Sequence, residues 1–107
     1  MTILPLPNAE HAFIDESKLS GYCLNQHHSE GKHKASIFAA FGISDVFMLK
    51  SLLLEAVVSE LAVLERIDEY GRLYNVGFYY NAAPVQSIWM IRKGEDFPRL
   101  VTCYISQ

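Results

Sequence analysis

The hydrophobic pattern changes its period near Glu65, and this change constrains the fold more than any other feature of the sequence. Over residues 45–64, apolar residues recur every three or four positions, which predicts a long helix. The residues on this apolar stripe are Leu49, Leu53, Val57, Leu61 and Leu64. Beyond Glu65 the period falls toward two, and aromatic and β-branched residues become frequent, as is typical of strands. The sequence therefore predicts a helical half followed by a sheet.

Three segments of the second half predict strands, and short breaks separate them. The strands are RLYNVGFYYN, VQSIWMIRK and RLVTCYIS, and the breaks are NAAP and GEDFP. Residues 65–70 form either a further short strand or the turn that leads into the first of these strands. Because short loops join neighbouring strands, we expect the strands to be antiparallel.

We expect a single domain over residues 1–107, because this length suits one domain and is too short for two. The first 14 residues predict an extended arm, since Pro5 and Pro7 hold the preceding residues in extended conformations. Residues 15–64 then form the helical half and residues 65–107 the sheet. The predicted fold class is α+β, with the N-terminal helices packed on one face of a small antiparallel sheet of three or four strands.

Capping residues set the predicted limits of the helices. Asp15 predicts the N-cap of a short helix over residues 16–23. Gly42 predicts the end of a second helix over residues 32–41. Ser44 is expected to cap the long helix.

Charge and cysteine usage narrow the function classes. A net charge of -3 argues against broad coating of nucleic acid, which needs a basic face, but it allows one local phosphate site. Cys23 and Cys103 lack the Cys-x-x-Cys spacing of a zinc or redox site and predict reduced thiols. Residues 52–64 form the longest apolar stretch, which is too short and too polar to cross a bilayer. No signal peptide is recognisable. We therefore expect a cytoplasmic protein with no metal, no cofactor and no membrane partner.

A basic group surrounds a titratable side chain in the first half, where Lys32, His33 and Lys34 precede an apolar run. An imidazole gives or takes a proton near neutral pH, and the flanking lysines suit an anionic substrate. The N–H groups at the start of a helix add to the attraction for phosphate. The alternative interpretation is that these cations occupy the solvated side of a short helix and have no function.

A second candidate group lies on the predicted strands, where Arg92 is expected beside Thr102 and Tyr104. A guanidinium binds phosphate through two parallel hydrogen bonds, and each hydroxyl adds one. The alternative is that Thr and Tyr are good strand formers on a solvated face. On the last strand, Leu100 is expected to share the face of Thr102 and Tyr104. The opposite face, expected to meet the helices, is formed by Val101, Cys103 and Ile105.

Four segments resemble the uncharacterised bacterial family known as domain of unknown function 6883: LPNAEHAFIDESKLSGYCLN, GKHKASIF…FGI, DEYGRLYNV and WMIRKGEDFPRLVTCYI. The resemblance covers about residues 6–105, nearly the whole chain. Members of that family occur as small free-standing proteins and as C-terminal modules of large secreted bacterial toxins. The occurrence of family members within toxins implies, by association, that the chain is a toxin effector or a toxin–antitoxin component.

The order of helices and sheet is similar to the ribonuclease toxin fold of barnase, RelE and colicin nuclease domains, an analogy at the level of the fold. We therefore expect a toxin-type, metal-independent endoribonuclease-like domain that acts on RNA phosphodiesters. The expected catalytic residues are His33, Arg92 and Tyr104, and the expected phosphate-binding residues are Lys32, Lys34 and Thr102. The alternative is a non-catalytic protein-interaction module, such as one component of a toxin–antitoxin pair. Its partner would be a cognate antitoxin, an immunity protein or a second copy of the chain.

Overall fold

The computed structural model describes residues 2–19 and 37–106 of the chain. Within them lie five strands: β1 (Thr2–Pro5), β2 (Leu61–Asp68), β3 (Gly71–Tyr80), β4 (Ala83–Arg92) and β5 (Arg99–Ile105). The helical elements are a 3-10 turn (Ala9–His11), the short helix α1 (Glu16–Lys18), residues 37–40 and the long helix α2 (Val46–Ser59). This arrangement confirms the predicted α+β class.

The five strands form one antiparallel sheet in the order β1-β2-β3-β4-β5. Strands that are neighbours in the sheet are therefore also consecutive strands in the sequence. The expectation of three or four strands is therefore wrong. The long hairpin of β3 and β4 was predicted by its alternating pattern, and two residues, Asn81 and Ala82, form its turn.

The extended arm expected over residues 1–14 belongs in part to the sheet. Its residues Thr2–Pro5 pair with β2, from Thr2 opposite Leu64 to Pro5 opposite Leu61. Proline is tolerated there because β1 is an edge strand and Pro5 is its last residue. Beyond the 3-10 turn, Phe13 forms an isolated parallel bridge with Arg99 of β5, at the other edge of the sheet.

The long helix is shorter than its apolar pattern predicts. It ends at Ser59 instead of residue 64, and Leu61 and Leu64 belong to β2. Tertiary pairing explains the difference, because β2 is hydrogen-bonded on one side to β1 and on the other to β3. The N-cap is Asp45, not Ser44. Its carboxylate accepts hydrogen bonds from the backbone N–H groups of Phe47 (2.7 Å) and Met48 (3.2 Å).

Two other predicted helix limits are confirmed. Asp15 caps α1 and accepts a hydrogen bond of 3.0 Å from the backbone N–H of Ser17. Gly42 has a φ of 86°, in the left-handed region, and follows the helical residues 37–40, as a C-terminal glycine does. The remainder of both predicted short helices lies outside the described residues.

The core lies between α2 and one face of the sheet, called here the inner face. Leu49, Leu53 and Val57 of α2 are buried in the same cluster as Tyr74 of β3 and Trp89 of β4. No buried side-chain nitrogen or oxygen among residues 2–19 and 37–106 lacks a hydrogen-bond partner. The buried polar side-chain atoms of the described core are therefore all satisfied.

A β-bulge changes which residues of β5 face the core. Trp89 pairs with Leu100 and Ile88 pairs with Thr102, so that Val101 is an extra residue in β5. Leu100 consequently faces the core and is 3% exposed, whereas Val101 is 40% exposed. The faces expected for these two residues are therefore wrong.

Candidate functional site

Two cavities meet at Arg92, at the end of the sheet where β4 finishes. The larger, of about 370 Å³, lies beside the β2–β3 turn and is lined by Arg72, Arg92 and Lys93, among others. The smaller, of about 180 Å³, is lined in part by Lys18, Arg92 and Arg99. Five of the nine Lys and Arg residues of the chain therefore line one site, called here the basic end.

Two carboxylates at the basic end are neutralised by specific partners. Asp68 pairs with Arg66 at 2.7 Å. Glu95 accepts two hydrogen bonds from the guanidinium of Arg99, at 2.9 and 2.8 Å. These bonds hold the pKa of Glu95 below its ordinary value and raise that of Arg99, and the charge of Arg92 lowers the pKa of Glu95 further. Glu95 and Asp68 therefore form their hydrogen-bonded ion pairs with Arg99 and Arg66, and Arg92 interacts with Glu95 only over a longer distance.

Three cations at the basic end have no such partner. Within the part of the chain that the structure describes, no carboxylate lies within 4.0 Å of the charged nitrogens of Lys18, Arg92 or Lys93. Glu69 and Asp15 also line the cavities, and Asp15 is engaged by Ser17. The two cavities are therefore lined by five cations and four carboxylates, a slight excess of positive charge in a protein whose net charge is negative.

The geometry at Arg92 depends on a glycine in the neighbouring strand. Gly71 pairs with Arg92 and has a φ of 138°. A Cβ at residue 71 would overlap the carbonyl oxygen of Ile91 and lie 2.9 Å from the Cα of Arg92. Only glycine lets β3 approach β4 this closely, and this approach sets the wall of the larger cavity.

Aromatic rings fix two of the other guanidinium groups. Arg72 donates a hydrogen bond of 3.2 Å to the hydroxyl of Tyr74 and lies 5.9 Å from the centre of its ring. Arg99 lies 5.3 Å from the ring centre of Phe13 and 4.8 Å from that of Phe97. These contacts orient the guanidinium groups without neutralising them.

The structure separates the site residues that the sequence grouped together. Arg92, Thr102 and Tyr104 do share one face of the sheet, as expected from alternation, but Thr102 lies opposite Ile88 and Tyr104 opposite Gln86. At about 3.3 Å per residue, Arg92 is roughly 13 Å along β4 from the row of Thr102 and roughly 20 Å from that of Tyr104. No single phosphate contacts all three. Lys32, His33 and Lys34 lie outside the described residues.

Four residues of the basic end were not among the predicted site residues, namely Lys18, Arg72, Lys93 and Arg99. Lys93 adjoins Arg92 in the sequence, whereas strand register and the path of the N-terminal segment bring the other three near it. A pairing of β3 with β4 counted outward from the Asn81–Ala82 turn would have placed Gly71 and Arg72 beside Arg92.

The outer face of the sheet, opposite α2, has a different character. On this face, residues that are paired across the strands form rows. The two rows nearest the basic end carry charged residues such as Arg66, Asp68 and Arg99. The remaining rows carry no charge and are called here the open face. Its members are Ile3, Pro5, Leu61, Val63, Asn75, Gly77, Tyr79, Pro84, Gln86, Ile88, Thr102 and Tyr104.

Several large side chains of the open face are exposed to solvent. Tyr79 is 77% exposed, Leu61 58%, Ile3 57% and Tyr104 36%. Val63 and Ile88 between them are half-buried. The open face is therefore an apolar and aromatic surface without charge.

No three His, Cys, Asp or Glu side chains among residues 2–19 and 37–106 are grouped so that they could hold a metal ion. No helix in the same ranges has the length and apolar character that crossing a membrane requires.

Comparison with known proteins identifies the family. The profile described as Domain of unknown function (DUF6883) matches residues 5–107. No curated protein and no solved structure matches the chain. Because the profile covers nearly the whole chain, as the quoted segments led us to expect, the protein belongs to the DUF6883 family.

Proposed function

We propose that this protein is a toxin-type, metal-independent endoribonuclease-like domain that acts on RNA phosphodiesters in the cytoplasm. The observation that supports the proposal most is the basic end, where Arg92, Lys93 and Lys18 have no carboxylate partner among the described residues. A strand of RNA carries one negative charge per nucleotide, and cations that replace its counterions supply most of the affinity.

In this proposal Arg92 holds the scissile phosphate, because it lines both cavities. Its planar guanidinium donates two parallel hydrogen bonds to two non-bridging oxygens. Lys93 in the larger cavity and Lys18 in the smaller attract the phosphates on either side. The RNA backbone would thus cross the end of the sheet.

The proposed chemistry uses the ribose itself as the nucleophile. A base removes the proton of the 2′-hydroxyl, whose oxygen attacks phosphorus, and an acid protonates the departing 5′-oxygen, which leaves a 2′,3′-cyclic phosphate. His33 is proposed as the base or the acid, with Lys32 and Lys34 as phosphate ligands beside it. Arg92 stabilises the charge that develops on the phosphorane.

The roles expected for Thr102 and Tyr104 change in this proposal, since both lie too far along the sheet to contact the phosphate held by Arg92. Tyr104 is exposed on the open face and suits stacking of a base farther along the same strand of RNA. Thr102 would bind a phosphate other than the scissile one.

The test is cleavage of RNA by the purified protein with and without a chelator. We expect cleavage that survives chelation and falls at least about a hundredfold in Arg92→Ala and in His33→Ala. Lys50→Ala is the matched control, because Lys50 is paired with Glu16 and neither residue lines the two cavities. Absence of cleavage by the unaltered protein, or equal cleavage by Arg92→Ala, would overturn the proposal.

A second candidate function is a non-catalytic protein-interaction module, and the open face is the observation that favours it. Exposed apolar and aromatic side chains such as Leu61 and Tyr79 are typical of the residues that anchor protein interfaces. A stable complex formed by a protein that leaves RNA intact would favour the module over the enzyme.

A further inference from the structure

We propose that the smaller cavity of the basic end binds the nucleobase of a nucleotide whose phosphate is held by Arg92, and that the base stacks on the ring of Phe13. The inference rests on the proposed function and adds a base-binding subsite to it. The ligand class is a ribonucleotide, either free or within a strand of RNA.

The first argument is that Phe13 is exposed and yet held in place. The residue is 47% exposed. Its backbone N–H donates to the carbonyl of Pro98 (2.8 Å), and its carbonyl accepts from the N–H of Leu100 (3.0 Å). The guanidinium of Arg99 lies 5.3 Å from the centre of its ring. An aromatic ring that is already positioned in this way stacks a base at little cost in conformational entropy.

The second argument is the mixed lining of the cavity, which suits a nucleotide better than phosphate alone. The apolar side chains of the lining include Phe13, Met90 and Val101, and its cations are Lys18, Arg92 and Arg99. Inorganic phosphate would use only the cations. A nucleotide uses both kinds of surface, because its phosphate is anionic and every base has an apolar face that stacks.

The third argument is size and position. The cavity has a volume of about 180 Å³, whereas sites for drug-sized ligands enclose roughly 300–1,000 Å³. It therefore suits one ring system instead of a larger ligand. Arg92 lines this cavity and the larger one beside it, so a phosphate held by Arg92 lies where the two cavities meet. The base of the same nucleotide then has Phe13 within the smaller cavity.

The experiment is a nuclear magnetic resonance titration of the purified protein with adenosine 5′-monophosphate and, separately, with ribose 5-phosphate, which lacks the base. We expect the nucleotide to bind roughly tenfold more tightly, which is the effect of stacking one base on an aromatic side chain. The amide signals of Phe13 and Arg92 should shift as the nucleotide is added.

Variants separate the base from the phosphate. Phe13→Ala should weaken binding of the nucleotide roughly tenfold and leave binding of ribose 5-phosphate unchanged. Phe13→Tyr keeps a flat ring and should keep the preference for the nucleotide. Arg92→Ala should weaken binding of both ligands by a similar factor, because both carry the phosphate. The amide spectrum of each variant establishes that it is folded.

Phe47→Ala is the matched control, because Phe47 is 70% exposed on α2 and does not line the cavity. It should bind both ligands as the unaltered protein does. Equal affinity of the unaltered protein for the two ligands, or no binding of the nucleotide, would overturn the inference. An unchanged preference in Phe13→Ala would also overturn it, as would equal weakening by Phe47→Ala.

Failure of this subsite and failure of the ribonuclease proposal are distinguishable, because the titration involves no cleavage of RNA. Base-dependent binding by a protein that leaves RNA intact would support the subsite and overturn the ribonuclease. Cleavage of RNA by a protein that binds both ligands equally would support the ribonuclease and overturn the subsite.

Discussion

The inner and outer faces of the sheet are built from alternate residues of the same strands, yet they differ in almost every physical property. On β4, Val85, Ser87, Trp89 and Ile91 are buried, while the residues between them are half-buried and Arg92 is exposed. Where the inner face meets α2, the sheet gains its stability from excluded water. The outer face carries side chains whose exposure to solvent costs little stability. Residues of both the basic end and the open face lie on it.

The largest difference should appear when one aromatic residue of each face is truncated. Trp89 is fully buried, and Trp89→Ala should lower the free energy of unfolding by about 3–5 kcal/mol. Tyr79 is 77% exposed, and Tyr79→Ala should change it by less than about 0.5 kcal/mol in dilute protein. Urea titration of both variants measures the contrast. Similar losses would mean that the open face contributes to the stability of the monomer.

Gly71 tests the close approach of β3 and β4 beside Arg92. Gly71→Ala should cost roughly 2 kcal/mol or more, because the new Cβ overlaps the backbone of β4 in a left-handed conformation. The control is Gly94→Ala, at a φ of 87° with nothing within 4 Å of the new Cβ, which should cost about 1–2 kcal/mol. Thermal unfolding compares the two. Equal costs would show that backbone conformation alone, and not the approach of the strands, determines the penalty.

Among the described residues that are buried on the inner face, Ser87 is the one with a polar side chain. Its hydroxyl tests how much a buried hydrogen bond contributes in comparison with an exposed one. Its hydroxyl donates to the carbonyl of Val76 (2.7 Å) and accepts from the indole N–H of Trp89 (2.8 Å). Ser87→Ala leaves that indole group without an acceptor and should cost about 1–3 kcal/mol. The exposed Ser59, bonded to the carbonyl of Glu55, provides the control: Ser59→Ala should stay within about 0.5 kcal/mol.

The smallest effect concerns pH and the pair of Glu95 with Arg99. Hydrogen bonds from Arg99 lower the pKa of Glu95 in the folded protein, so their contribution is present above the ordinary value of 4.5. It is lost as pH falls through the lowered pKa. The difference in stability between the unaltered protein and Glu95→Gln should therefore shrink on acidification below pH 4.5. Urea titrations at several pH values measure it, and a difference that stays constant would contradict the assignment.

How far the sequence predicts the fold depends on whether a pattern is local. β3 and β4 were predicted because alternation and a short turn are visible within a few residues. β1 and the start of β2 were not, since Leu61 and Leu64 satisfy the helical spacing as well as a strand. Pairing with β1 favours the strand over the helix for these residues. Because β1 precedes the whole helical half in the sequence, no pattern local to β2 reveals this pairing.

The candidate site shows the same limit. Arg92 was identified from its chemistry and its face from alternation, and the structure agrees on the face. The distance of Thr102 and Tyr104 from Arg92 along the sheet was not predictable, because it depends on the register of β5 with β4 and on the bulge at Val101. Lys18, Arg72 and Arg99 are single cations in the sequence, and they join Arg92 and Lys93 in one group only when the chain is folded.

The order of the sheet also bears on how the chain acquires its structure. β2, β3 and β4 each pair with the strand that follows them, and β3 and β4 are joined by a two-residue turn. Such local hairpins close quickly because little loop entropy is lost. β1 is synthesised before all of them, but its partner β2 follows only after the whole helical half. Pairing β1 with β2 closes a much longer loop than any hairpin of the sheet, so the edge formed by Thr2–Pro5 should form more slowly than the hairpins and should be the first part of the sheet to exchange its amide hydrogens with solvent.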